Sequence, residues 1–94
     1  MEPEISIYVG EGMNKRKLLA KALAGSKNIS FNEIVFLVEA FGFRLSRVNG
    51  SHHIFVHPQL RQIVNLQEHH GKAKPYQVRQ FLELVEQYDL KLGD

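Results

Sequence analysis

Ninety-four residues, 44% of them hydrophobic and 23% charged, make one small domain, too short for two cores and too apolar to stay disordered. Cysteine is absent, which removes disulfides and thiolate chemistry. No run is long and apolar enough for a membrane span or a signal-peptide core, so a cytoplasmic protein with no membrane partner is expected.

The formal net charge of +2 excludes little; its distribution says more. Between Phe43 and Arg79 stand Arg44, Arg47, Arg61, Lys72, Lys74 and Arg79, with all five histidines and Glu68 as the one carboxylate. Such a segment suits a phosphate-rich partner. Small domains also carry lopsided charge without any partner.

In chain order, residues 1–12 read as an extension. Ile5-Ser6-Ile7-Tyr8-Val9 could form a strand, but Gly10-Glu11-Gly12 isolates it. The functional domain is expected to span 13–94, with 1–12 dispensable. Asn14 caps a first helix, Lys15 to Ala24, whose apolar stripe is Leu18, Leu19, Ala22 and Leu23; Gly25 stops it. Ser30-Phe31-Asn32-Glu33 has the spacing of a capping box, and Ile29 can staple onto Ile34. Ile34, Leu37, Val38 and Phe41 then repeat at helical spacing up to Gly42.

Phe43 to Val48 alternates as a strand, and Asn49-Gly50 is a hairpin turn. The following run, Ser51-His52-His53-Ile54-Phe55-Val56-His57, reads as a second strand closed by Pro58. Alternation places Ser51, His53, Phe55 and His57 on one face and His52, Ile54 and Val56 on the other. Gln62 to Leu66 makes a third strand, and Gln67 to Lys74 reads as a polar loop. Pro75 opens a last helix with Val78, Phe81, Leu82 and Val85 inward and Tyr88 extending the stripe. The order predicts an α+β domain, helix–helix–strand–strand–strand–helix, its helices on one face of a three-stranded antiparallel sheet.

Five histidines raise the question of metal. On a strand His53 and His57 lie roughly 13 Å apart, too far to share an ion whose ligands sit about 2 Å away. No metal site or cofactor is therefore expected. Acid–base chemistry asks only for one accessible imidazole, which ordinarily titrates near pH ~6.5. Against RNA the substrate's own 2′-hydroxyl is the nucleophile, and nearby cations stabilise the charge that builds on phosphorus. Residue chemistry alone leaves a plainer reading beside this one, a hydrogen-bonded strand histidine with no catalytic work. Lys72 and Lys74 before the last helix, with Arg79 one turn in, could form one phosphate-binding patch.

The run from Gly42 to Pro58, with its Gly50-Ser51-His52-His53-Ile54-Phe55-Val56-His57-Pro58 core, closely resembles the HicA family of toxins from bacterial toxin–antitoxin modules. Gly71-Lys72-Ala73-Lys74-Pro75-Tyr76-Gln77-Val78-Arg79-Gln80-Phe81 is similar to that family's final loop and helix. The resemblance covers about Met13 to Leu90. It implies a fold like a double-stranded-RNA-binding domain, metal-independent cleavage of mRNA by one histidine, and neutralisation by a HicB-like antitoxin. It places catalysis on His53, with His52 in reserve, and RNA contacts on Ser51, Arg47, Lys72, Lys74 and Arg79. An outward His53 requires Phe55 to be a partly exposed ring or to lie at the sheet edge; burial of that face would pass the role to His52. The alternative is a double-stranded-RNA-binding module that does not cut.

Overall fold

The computed structural model describes residues 14–93; the proposed extension 1–12, and Met13 at the expected start of the domain, lie outside the described residues. Helix α1 (Lys15–Leu23) begins where the Asn14 side chain accepts the Lys17 N–H at 3.0 Å. It ends on Gly25 at φ +79°, where the Gly25 and Ser26 amides return to the Ala22 and Lys21 carbonyls. That left-handed residue closes the last turn and satisfies carbonyls the helix itself leaves open.

Helix α2 (Phe31–Ala40) has the predicted capping box: Glu33 N–H donates to Ser30 Oγ at 3.1 Å, and Ser30 N–H donates to Glu33 Oε1 at 2.9 Å. Ile29 and Ile34, the staple pair, are both buried. Leu37, Val38 and Phe41 continue the buried stripe, and Gly42, at φ +97°, turns the chain into the sheet. A side chain at Gly42 would also meet His57, whose Nε2 lies 3.0 Å from the position a Cβ would take.

The sheet has four antiparallel strands in the order β1 (Arg44–Asn49), β2 (His52–His57), β3 (Leu60–His69) and β4 (Lys72–Ala73). The expected class, α+β with three helices among the described residues, is what is found; the strand count of three is corrected to four. The segment read as a polar loop continues β3 to His69 and returns as β4. The turn between them, His70 at φ +53° and Gly71 at φ +78°, is a two-residue reversal whose twist suits a hairpin.

Helix α3 (Pro75–Gln87) lies on β3, with Phe81 fully buried. Its stripe carries one residue of another kind: Gln77 is 4% exposed, and its Oε1 accepts the Gln67 N–H of β3 at 2.7 Å. Tyr88 does not extend the core as expected. It caps α3, remains 39% exposed, and its hydroxyl accepts from Gln62 Nε2 at 3.3 Å.

Phe55 pairs with Val64 and His53 with Leu66 across β2 and β3. Phe55, Val64 and Leu66 join Leu18, Ile34, Leu37, Phe43 and Phe81 in one core. The neighbours Ile54, Val56, Ile63 and Asn65 point the other way, outside that core, with Ile63 and Asn65 also bordering a small cleft beside Gln80 and Leu84 of α3.

Candidate functional site

His52 and His53 open β2, directly after the Asn49–Ser51 turn. Because strand side chains alternate, their rings leave on opposite faces. The expected partition of faces holds, but Phe55 is 1% exposed, so the face bearing His53 is the packed one. The partly exposed Phe55 ring that an outward His53 was expected to require is absent: Phe55 packs under the helices with Val64 and Phe81.

Burial along that face is uneven. At its far end His57 lies edge-on to Phe43, with centroids 5.0 Å apart, and its Nδ1 accepts the Gln59 N–H at 3.1 Å. That histidine holds a turn. His53, at the near end, is half-buried. Its ring stands edge-on to Phe31, the first residue of α2, with centroids 4.7 Å apart and planes at 61°. Its Nδ1 lies 3.3 Å from the Ser51 carbonyl oxygen. A carbonyl only accepts, so that contact assigns the proton to Nδ1 and leaves Nε2 with its lone pair.

His52 is also half-buried, on the other face, with Nδ1 3.3 Å from Asn65 Oδ1. An amide can present oxygen or nitrogen, so this contact does not select a tautomer. The two neighbouring imidazoles thus differ in how firmly their basic nitrogen is defined.

Three segments converge on His53. The Ser51 carbonyl also accepts the Glu68 N–H of β3 at 3.0 Å, tying the turn to the strand beside it. The tip of the β3–β4 hairpin lies over the start of α2, where Phe31 N–H donates to the Gly71 carbonyl at 2.7 Å and Ser30 bridges to Lys72. Phe31 is therefore fixed from both sides. Lys72 Nζ reaches the Lys27 carbonyl at 3.4 Å, and Lys74 is the N-terminal cap residue of α3 without a side-chain capping bond. Arg79 borders a small cleft with Ser26, Lys27, Ala73 and Pro75. Lys72 and Arg79 both sit at the α1–α2 loop, whereas Arg47 is on β1, paired with Ile54 on the opposite face. Among the described residues none of Arg47, Lys72, Lys74 and Arg79 makes a salt bridge. Their charge is left for other partners.

Phe31, Gly71 and Lys27 were not singled out from the sequence. The capping box marks Phe31 as a helix start, but only tertiary packing sets it against His53. No three His, Asp or Glu side chains converge as metal ligands would among the described residues. A cleft of about 830 Å³ between α1 and α3, lined by Leu19, Leu82 and Val85 among others, has no histidine in its wall.

Fold and site together define a small α+β domain with a histidine pair at the head of a central strand and unpaired cations around one corner. A family model described as the HicA toxin of bacterial toxin–antitoxin modules matches residues 31–86, more than half of the chain, from the start of α2 through almost all of α3. The chain belongs to the HicA toxin family. Membership makes it a toxin of a toxin–antitoxin system and implies a cognate antitoxin. No curated protein and no solved structure matches the chain.

Proposed function

We propose that the protein is a metal-independent endoribonuclease that cleaves mRNA with His53 as its acid–base group, and that a HicB-like antitoxin silences it. The observation that carries the choice of His53 over His52 is the Nδ1 contact to the Ser51 carbonyl, because it leaves Nε2 free to take a proton. Burial of Phe55 does not hand the role to His52, since His53 itself is half-buried at the end of the strand. In the reaction Nε2 accepts the proton of a ribose 2′-hydroxyl. That oxygen bonds to the adjacent phosphorus while the bond to the 5′-oxygen breaks, and the departing oxygen takes a proton from the imidazolium or from water. Lys72, Lys74 and Arg79, with Ser51 in the turn before β2, hold phosphates and offset the charge on the phosphorane-like transition state. Arg47, on the opposite face of β1, holds a phosphate further along the RNA.

The helix layer on an antiparallel sheet supports kinship with double-stranded-RNA-binding domains, and the protein is taken to act in the cytoplasm. The functional unit is 13–94, with 1–12 dispensable. A second reading rests on the edge contact of His53 with Phe31, which would equally suit a structural histidine. The protein would then bind double-stranded RNA through the same cations without cutting.

The test is RNA cleavage with a chelator present. Fragments ending in 2′,3′-cyclic phosphate are expected from the full chain and from one beginning at Met13. Salt-dependent binding with no cleavage between about pH 5 and pH 8 would leave only the binding module.

A further inference from the structure

Between them the two readings use the packed face and the corner beside it. They leave the other face of the sheet without work, apart from Arg47. Register across β1, β2 and β3 resolves that face into three rows. Arg44, Val56 and Ile63 form the first; Arg47, Ile54 and Asn65 the second; Asn49, His52 and Gln67 the third. The rows hold two arginines, three side-chain amides, an imidazole and an apolar floor, and no carboxylate.

Two features mark this as more than a solvated sheet face. Val56 and Ile63 are 38% and 52% exposed next to each other, an apolar strip open to the surroundings. Ile54, one row on, is 8% exposed and stands between its register partners Arg47 and Asn65. Asn65 Oδ1 lies 3.3 Å from the His52 ring, which links the second row to the third. Arg44 and Arg47 have no salt bridge among the described residues.

We propose that this face is a binding platform for single-stranded RNA. Unstacked bases lie on the Ile54, Val56 and Ile63 floor and against the His52 ring. Asn49, Asn65 and Gln67 offer both donors and acceptors to their edges, and Arg44 and Arg47 take phosphates or stack as guanidinium planes. A duplex keeps its bases stacked inside and cannot use such a floor, so the platform separates single strands from duplex RNA. Charge favours a polynucleotide over a second copy of this chain, since rows with two arginines, neither in a salt bridge among the described residues, and no carboxylate repel their own copy. His52 here contacts bases while His53, on the opposite face of β2, is left to the phosphodiester. This deepens the nuclease reading and rests on it for the purpose of the platform, though not for its existence.

The experiment measures equilibrium binding of a 2′-O-methyl single strand, which lacks the nucleophilic hydroxyl, and of the matching 2′-O-methyl duplex, to the full chain. Arg44→Ala is expected to weaken the single strand several-fold and to lower its salt slope by about 0.7, the share of one phosphate contact. Duplex affinity should stay unchanged. Asn65→Ala should weaken the single strand and alter its base preference without moving the salt slope. Equal loss for strand and duplex, no loss for either, or a face occupied by a second copy in sedimentation would each overturn the platform. Cleavage of unmodified RNA, measured alongside, keeps the two ideas apart. An active nuclease indifferent to Arg44 and Asn65 sinks the platform alone; a binder through this face that never cuts sinks the nuclease alone.

Discussion

The two faces of β2 have nearly the same apolar content and opposite fates. On one, Phe55 and the residues paired with it on β3 disappear under α2 and α3. On the other, Val56 and Ile63 stay open beside arginines and amides. The difference teaches that burial here is assigned by the helices above the strand, not by the strand's own hydropathy. It also separates two neighbouring histidines: one borders the core and the start of α2, the other joins a polar, cationic surface.

Substitutions on the two faces test that contrast directly. Phe55→Ala empties a fully buried site and should lower unfolding free energy by about 3–5 kcal/mol in urea titration. Val56→Ala, next along the same strand, should stay within about 0.5–1 kcal/mol, because its side chain already meets solvent. Comparable losses at the two positions would mean that something covers the open face. A smaller effect sharpens the account of the packed side. Gln77→Ala removes the acceptor for the Gln67 amide and leaves that strand N–H without its partner, for an expected cost of about 1–3 kcal/mol in the same titration. A neutral result would show that water replaces the carboxamide.

Much of this arrangement is legible in the chain. The capping box at Ser30 and Glu33 and the glycine stops at Gly25 and Gly42 are local signals acting over a few residues, and each stands where expected. The hairpin turn expected at Asn49-Gly50 falls one residue on, at Gly50-Ser51, with Asn49 paired to His52. Alternation also divides His52 from His53 correctly. Which of the two faces lies under the helices is not legible, because Ile54 and Val56 are as apolar as Phe55 and the choice depends on long-range packing. The β3–β4 hairpin escapes for a related reason. Gln67, Glu68 and His69 have no apolar alternation, and their strand conformation comes from pairing with the Ser51 carbonyl and with Lys72–Ala73. His70 adopts a left-handed conformation that its residue type does not announce. The basic residues expected to act together divide in the same way. Lys72 and Arg79 each border the α1–α2 loop, while Arg47 belongs to the other face.

The central claim is that the imidazole whose Nδ1 faces the Ser51 carbonyl does the proton transfer, and that its neighbour does not. Single-turnover cleavage of one RNA by His53→Ala and His52→Ala, both shown to be folded by circular dichroism, tests it most directly. The account predicts a rate loss of about 10²–10⁴ for His53→Ala and a change for His52→Ala that higher RNA concentration restores. A His53→Ala protein that cuts at the parent rate, or a His52→Ala protein that is dead at saturating RNA, would contradict it.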